Sequence, residues 1–373
     1  MLRWTMPIML AGLGGLFAER SGVVNIGLEG MMILGTWFGA WGALNYGPWA
    51  GIALGMLGGA VGGLLHAIAT VGFGVDHIIS GVAINILAPG VTRFLSAEVF
   101  TGYQGGSITQ SPGIGSVAKV TVPVLSGGKP FGWRSPDVLG HIEDYGWFFV
   151  SDVAGFLRGC TSQVSLFTLL SIALIPASAF VLWRTRFGLR LRIAGERPEA
   201  GESLGVDVIR YKYYGVVTSG ALAGAGGAFI AMELTGFYRQ GQTTERGYLG
   251  LAALIFGNWR PTGVGAGALL FGFPTSVSLR ERNGTGTHAL LLVIALVLLV
   301  MLVLSLRRGR RADAIIAAVC GGGALLWYLT TDTAPDWLPD SMPFAIVLLV
   351  LVFNSQRLRM PAALGQVYRK GET

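Results

Sequence analysis

The chain has 373 residues, of which 52% are hydrophobic and 13% are charged, and its mean hydropathy is +0.60. A soluble domain carries about 25% charged residues, so this chain lacks the charge that a water-facing surface requires. The composition excludes a soluble enzyme and predicts one helical membrane domain. The formal charge of +7 does not indicate nucleic-acid binding, because no basic patch is interleaved with aromatic residues for stacking.

Apolar stretches near the length that crosses about 30 Å of hydrocarbon recur along the chain. They cover residues 4–18, 26–44, 49–73, 78–97, 164–183, 213–232, 289–306, 312–329 and 343–353. Two shorter stretches, 248–256 and 264–273, predict a broken or re-entrant helix pair beside a water-filled cavity, or else two short helices joined by a turn. We therefore predict an all-α, polytopic transmembrane bundle with about 9–11 membrane segments.

Lysine and arginine are concentrated in three segments, 184–212, 307–311 and 357–370. Because cytoplasmic loops carry an excess of these residues, we expect all three segments in the cytoplasm, the N-terminus outside and the C-terminus inside. The Gly/Ser/Pro-rich stretch 98–163 is then an extracytoplasmic insertion, and 185–212 is a cytoplasmic loop.

Glycines recur every fourth residue at Gly51, Gly55, Gly59 and Gly63, which places them on one helical stripe. Small residues let helix backbones approach closely in lipid, so the stripe predicts a packing face within the chain or across a dimer. A role in shaping a solute pathway is the alternative.

Residues that would carry chemistry are scarce. The four histidines and two cysteines have no metal-ligand spacing, and no GxxxxGK[ST] phosphate loop is present. The predicted spans also lack the intramembrane Asp, Glu or Lys typical of proton-coupled carriers, apart from Glu29 and Glu233 near span ends. We therefore expect no enzyme activity, no metal and no cofactor on this chain, and energy for any transport from another subunit.

Four polar residues are candidates for the lining of a solute pathway. Asn25 and Glu29 lie at a predicted helix start, where they either contact a polar solute or form a local structural network with Glu19 and Arg20. Ser80 and Asn85 point into the bundle at helical spacing and leave the same two alternatives open.

Several motifs resemble one family of transport proteins. Glu19-Arg-Ser-Gly-Val-Val-Asn-Ile-Gly-Leu-Glu-Gly30 is followed in order by matching segments at 76–85, 185–207, 247–261 and 359–365. Together they resemble permease subunits of ABC importers for simple sugars and nucleosides, in the larger group that includes branched-chain amino acid permeases. The motifs span nearly the whole chain.

The resemblance implies a transport role. The chain would form half of the translocation pathway for a nucleoside or simple sugar in a bacterial cell membrane. Its partners would be an ATP-binding subunit that holds ATP and Mg²⁺, a second permease subunit in a heterodimer, and an extracytoplasmic substrate-binding lipoprotein. The alternative is a secondary transporter or channel for a small polar solute.

The same resemblance assigns the loop after residue 185 to docking on the ATPase subunit. Independently, Pro198 can open a short helix, Glu199 and Glu202 suit its first turn, and Gly205 can close it. An ordinary solvated loop is the alternative. The candidate coupling residues are Gly195, Glu196, Pro198, Glu199, Ala200, Glu202 and Gly205.

The chain divides into three predicted regions. Residues 1–288 form the permease core, 289–331 form two extra transmembrane helices, and 332–373 form the last helix and the cytoplasmic tail. Because residues 289–304 are almost uniformly Leu, Val and Ala, we expect the extra helices to face lipid rather than the pathway.

Overall fold

The computed structural model describes residues 2–121, 123–127, 135–145, 147, 150–278, 285–307, 309, 311–331, 341 and 358–369. Within these ranges the chain is a helical bundle, and the short strands β1 (Lys119–Val120) and β2 (Val164–Ser165) form an antiparallel pair. The predicted all-α class is confirmed. The predicted span 343–353 lies outside the described residues.

The helices follow one another with few long connections outside the insertion. They are α1 (Leu2–Arg20), α2 (Leu28–Tyr46), α3 (Pro48–Ala67), α4 (His77–Val99), α5 (Val138–Asp144), α6 (Val150–Thr161), α7 (Leu166–Arg184), α8 (Arg186–Glu196), α9 (Pro198–Ser203), α10 (Val208–Phe229), α11 (Arg246–Phe256), α12 (Pro261–Ser278), α13 (Thr285–Arg307) and α14 (Arg311–Thr330). Wider π-helical turns extend α3 through Ile68–Gly72 and α10 through Ile230–Thr235.

Among the described residues, four helices are long and apolar enough to cross a membrane by length and composition. They are Pro48–Gly72, His77–Gly102, Leu166–Arg184 and Val208–Thr235, and each overlaps a span predicted from the sequence. α1, α2, α12, α13 and α14 have 19, 19, 18, 23 and 20 residues, so they too are long enough to approach 30 Å. The chain is a multi-pass membrane protein.

α10 is the most buried of the four candidate spans and packs against α1, α2 and α3. The glycine stripe of α3 makes this contact possible. A Cβ atom added at Gly59 would lie 2.2 Å from the carbonyl oxygen of Gly220, and one at Gly63 would lie 2.7 Å from that of Val216. The predicted packing face is confirmed, and it is formed within the chain.

The two helices of the predicted broken pair, α11 and α12, differ in length. α11 has 11 residues and is short, as predicted, whereas α12 has 18 residues and is longer than the predicted stretch 264–273. Pro261 is the first residue of α12, where its missing N–H is tolerated, and Pro274 lies inside the helix, so neither proline ends it.

The two ends of the bundle differ. One end, which we call the loop end, carries Arg20, α8, α9 and the segment 358–369. The other, the insertion end, carries Leu2, β1, β2 and the end of α12 at Ser276. At the insertion end the part of the insertion around residues 109–114 packs against the loop that follows α10, where Ile114 N donates to Gly236 O over 2.8 Å.

The sequence did not predict α5 and α6 within the insertion. They are joined by Arg158, whose guanidinium bonds Glu143 at 2.9 Å and Asp137 at 2.7 Å. α13 packs mainly against α14 and also touches α12. Both helices expose large apolar side chains, among them Val300 and Val319, as expected of lipid-facing helices.

Candidate coupling loop and pathway residues

The predicted coupling loop contains two helices. The Thr185 hydroxyl accepts a hydrogen bond from Gly188 N and caps α8, which the sequence did not predict. Pro198 begins α9, as predicted, and α9 ends in a Schellman motif in which Val206 N donates to Gly201 O and Gly205 has φ of +76°. Gly205 therefore closes the short helix because an L side chain rarely adopts that conformation.

The predicted coupling residues have two different orientations. Glu199, Ala200 and Gly205 are exposed, together with Leu204, whose surface is 78% exposed. These residues form a free surface at the tip of the loop, which we call the α9 tip. Leu204 and Glu199 are therefore accessible to another protein at the tip of the loop.

Glu196 and Glu202 bond the chain itself. Glu196 accepts hydrogen bonds from Arg20 Nη1 at 3.4 Å and from Ala362 N at 3.1 Å. Glu202 accepts a hydrogen bond from the Tyr368 hydroxyl. Burial, together with this bond to the carboxylate, raises the pKa of Tyr368 to about 12.

The segment 358–369, which we call the C-terminal strap, lies across the loop end. Ala363 N donates to Gly195 O over 2.9 Å, and Gly365 N donates to Gly22 O over 3.1 Å. Arg359 N donates to Asn258 Oδ1 over 2.7 Å. The strap thus links the junction of α8 and α9 to the segment that follows α1, at Gly22, and to the turn that follows α11, at Asn258. The ending 359–365 was recognised as a motif, but nothing in the sequence indicated where it would bind.

Arg20 provides a second link between the loop and the bundle. Its guanidinium donates to the carbonyl oxygen of Trp259 at 2.8 Å, and the Trp259 indole donates to Glu19. Trp259 lies in the turn between α11 and α12. Hydrogen bonds through Arg20 therefore connect Glu196 of the coupling loop to the turn that follows α11.

Asn85 supports the start of α2. Its Oδ1 accepts a hydrogen bond from Gly30 N at 2.7 Å, while its Nδ2 donates to Ile26 O at 3.0 Å and to the Tyr248 hydroxyl at 2.9 Å. α2 has no side-chain cap from its own N-cap residue, Gly27. A side chain from α4 thus satisfies a backbone N–H group at the start of α2.

Glu29 likewise provides hydrogen-bond acceptors for backbone N–H groups at the start of α11. Its carboxylate accepts hydrogen bonds from Glu245 N at 3.1 Å and Gly247 N at 2.7 Å. Glu29 itself is only 7% exposed. A carboxylate beside a helix N-terminus is favourable because the helix dipole is positive there.

Asn25 and Ser80 are both buried, Asn25 in the segment between α1 and α2 and Ser80 next to it through His66. Asn25 Nδ2 donates to the Ser219 hydroxyl at 2.8 Å, and among the described residues its Oδ1 has no hydrogen-bond partner. Ser80 bonds His66 Nδ1 at 2.8 Å, and His66 Nε2 lies 2.9 Å from Val24 O.

The four candidate pathway residues therefore border one feature, the non-helical segment 21–27 and the start of α2 that follows it. Glu19 and Arg20 both bond Trp259, whereas Asn25 bonds Ser219 and Glu29 bonds Glu245 and Gly247. The hydrogen bonds of the described residues therefore tie Glu19, Arg20, Asn25 and Glu29 to distant elements rather than directly to one another. Whether these residues contact a solute stays a prediction.

Sequence reasoning missed two residues that complete this region, Tyr248 and Glu245. Tyr248 stands in the recognised segment 247–261, but its partner, Asn85, is 163 positions away. Within the described ranges, no three His, Cys, Asp or Glu side chains are grouped so that they could hold a metal ion.

Comparison with known proteins gives consistent matches. Residues 1–306 match the family described as branched-chain amino acid transport system, permease component. Nucleoside ABC transporter permease protein NupC of Lactococcus lactis is 38% identical over 288 residues, covering 75% of this chain and 80% of the relative. Guanosine ABC transporter permease protein NupQ of Bacillus subtilis is 36% identical over 285 residues, covering 74% and 80%.

A further relative, from Haloferax volcanii, is provisionally named glucose ABC transporter permease protein TsgC13. It is 30% identical over 277 residues, which cover 74% of each chain. No solved structure matches the chain. The family match includes α13 but ends before α14, so the predicted boundary at residue 289 stays a prediction. Because the match covers most of its length, the chain belongs to the permease-component family of branched-chain amino acid transport systems.

Proposed function

We propose that this chain forms half of the translocation pathway of an ABC importer for nucleosides, and that a separate subunit hydrolyses ATP to drive transport. The observation that carries the proposal is the α9 tip, an exposed apolar and acidic surface on a short helix fixed to the bundle by Arg20 and the C-terminal strap. The names of the nucleoside and guanosine relatives support a nucleoside as cargo over a simple sugar.

The proposal includes the partners that the family resemblance implies. The ATP-binding subunit, with its ATP and Mg²⁺, docks on the α9 tip, and a second permease subunit completes the pathway as a heterodimer. A substrate-binding lipoprotein delivers the cargo at the insertion end. No ATPase site, metal or cofactor belongs to this chain.

The orientation follows from the same arrangement. The loop end lies in the cytoplasm of a bacterial cell, with the C-terminus, and the insertion end lies outside. The basic residues of 184–212 and the contact of the C-terminal strap with that loop both support this orientation. A secondary transporter or channel is the alternative, and it leaves the α9 tip without a role.

The test is uptake by the complex that copurifies with a tag on this chain, reconstituted in vesicles with its binding protein. Labelled guanosine, uridine and glucose are offered with and without ATP. We expect ATP-dependent nucleoside uptake. Uptake that persists without ATP would identify a carrier or channel and overturn the proposal.

The coupling assignment is tested with Glu199→Arg, since charge reversal on the α9 tip should disturb the docking surface without changing the bundle. The matched control is Glu98→Arg, an exposed carboxylate at the end of α4 near the insertion end. We expect uptake and stimulated ATPase activity to fall at least tenfold in the first variant and to stay unchanged in the control. Equal activity of both variants contradicts the assignment.

A further inference from the structure

We propose that Thr244, Glu245, Tyr248 and Asn85 form a water-facing cargo site that reaches from the middle of the bundle toward the insertion end, and that it takes the aromatic base and the hydroxyl groups of a nucleoside. This inference rests on the proposed function and adds to it the residues that select the cargo. Nothing in the sequence motifs assigned Thr244, Glu245 or Tyr248 such a role.

The first step is the depth of these residues in the bundle. Gly250 of α11 packs against Gly12, near the middle of the 19-residue helix α1. Tyr248, half a turn away, bonds Asn85, which lies about 12 Å from the start of the 23-residue helix α4. Tyr248 and Asn85 therefore lie inside the bundle, whereas Thr244 and Glu245 lie nearer the insertion end, where the guanidinium of the adjacent Arg246 lies 5.1 Å from the centre of the Trp4 ring.

The second step is exposure at that depth. Thr244 and Glu245 are exposed, Tyr248 is 41% exposed, and Asn85 is partly exposed. An exposed carboxylate and a hydroxyl group cannot face hydrocarbon without a large cost, whereas a water-filled cavity solvates both. This surface of the chain therefore faces away from lipid, toward the pathway that the second permease subunit completes.

The third step is how the backbone presents the site. Thr244 and Glu245 have φ values of 44° and 62°, a left-handed conformation that side chains other than glycine rarely adopt. The Glu29 carboxylate holds this turn by accepting the Glu245 N–H. Backbone strain of this kind persists where the surrounding structure fixes it, and it occurs preferentially at functional sites.

The fourth step is the chemistry of the surface. The Tyr248 ring is oriented by its hydroxyl, which accepts a hydrogen bond from Asn85 Nδ2, and its exposed part offers a flat apolar surface for an aromatic base. The Glu245 carboxylate can accept hydrogen bonds from ribose hydroxyls or from base N–H groups. A ring for stacking and a carboxylate three residues before it provide one contact for the base and one for the ribose of a nucleoside, and the choice of a nucleoside over a simple sugar rests on the proposed function.

The experiment is cysteine accessibility in the complete complex. Cys160 and Cys320 are first replaced by serine, and Glu245→Cys and Tyr248→Cys are then made singly. The control is Ala173→Cys, an exposed residue near the middle of α7 where apolar neighbours indicate a lipid-facing surface. Each variant is treated with a charged, membrane-impermeant maleimide in the presence or absence of guanosine or glucose.

We expect both site cysteines to react at least tenfold faster than Cys at 173, and guanosine, but not glucose, to slow the reaction. Labelling no faster than at position 173 overturns the aqueous assignment, and fast labelling without protection by guanosine overturns the cargo site. If the unsubstituted complex imports nucleosides normally but the cysteine of Glu245→Cys does not react with the maleimide, only this inference fails. If no nucleoside is imported, the proposed function fails whatever the labelling shows.

A second measurement separates recognition from folding. Tyr248→Phe keeps the ring, and Tyr248→Leu removes it. We expect KM for guanosine uptake to rise less than threefold in the first variant and roughly tenfold in the second, since stacking on an aromatic side chain strengthens binding of a base by about that factor or more. Equal KM values in all three proteins contradict a stacking role.

Discussion

At the residue scale, two polar side chains of the membrane interior act as caps for helices that begin inside the bundle. Glu29 caps α11 and Asn85 caps α2, although their partners lie 216 and 55 positions away. The sequence identified both residues as unusual because polar groups are scarce in the spans. It could not identify their partners, since spacing along the chain carries no information about contacts between distant helices.

Replacing Glu29 tests the cap directly. Glu29→Ala leaves the N–H groups of Glu245 and Gly247 without an acceptor, and we expect a loss of about 2 kcal/mol in the free energy of unfolding. Glu29→Gln keeps one acceptor oxygen and should lose about half as much. Thermal unfolding of the purified complex measures both, with Glu98→Ala as the exposed control. A melting temperature unchanged in Glu29→Ala would show that the cap contributes nothing.

At the element scale, sequence patterns predicted the features that depend on the residues of a single helix. The apolar stretches located the spans, the glycine stripe located a packing face, and Pro198 with Gly205 located α9. The patterns missed α8 and underestimated α12, because Gly257, Pro261 and Gly263 together indicate a break in the helix and the apolar stretch ends at Phe273. In the structure one proline starts the helix and the other is accommodated inside it.

The glycine contact between α3 and α10 predicts a contrast between two alanine substitutions. Gly59→Ala places a methyl group within 2.2 Å of a backbone oxygen on α10, so the helices must separate, and we expect a loss of about 1–3 kcal/mol. Gly90→Ala, on α4, meets nothing within 4 Å and should be neutral or slightly stabilising. Melting temperatures of the two variants make the comparison. Equal destabilisation would mean that close packing does not distinguish the sites.

The C-terminal strap predicts a separation of ATP hydrolysis from transport. Removing residues 358–373 abolishes the hydrogen bonds to Gly195, Gly22 and Glu202, but it leaves the exposed α9 tip in place. We therefore expect ATPase activity to remain and uptake per ATP hydrolysed to fall severalfold. The control is removal of residues 370–373 alone, which lie beyond the strap. Normal uptake without the strap would show that it has no part in coupling.

At the scale of the whole molecule, the loop end gathers the coupling loop, the α11–α12 turn and the C-terminal strap. The charge rule predicted that the loop and the tail lie on the same side of the membrane, and the contact between the strap and Gly195 gives the same result from geometry alone. The sequence could predict sidedness because it depends on charge. It could not predict that the tail would bind the coupling loop, which depends on shape.

This arrangement predicts opposite outcomes for two deletions among the last helices. α12 ends at the insertion end, and α13 and α14 are predicted to cross the membrane twice before the predicted span 343–353. Deleting residues 289–331 removes an even number of crossings, so the strap still reaches Gly195. Because α13 and α14 pack mainly on each other and expose apolar side chains, we expect nucleoside uptake to be retained.

Deleting residues 311–331 removes α14 alone and leaves two crossings after α12, α13 and the predicted span 343–353, in place of three. The strap then emerges at the insertion end, where it cannot bond Gly195 or Glu202, and we expect uptake to be lost although the larger deletion is tolerated. Uptake by both variants in vesicles, with membrane insertion checked by immunoblot, decides the matter. Loss of uptake in the larger deletion with normal insertion would place α13 or α14 in the pathway or at a subunit contact, contrary to the lipid-facing assignment.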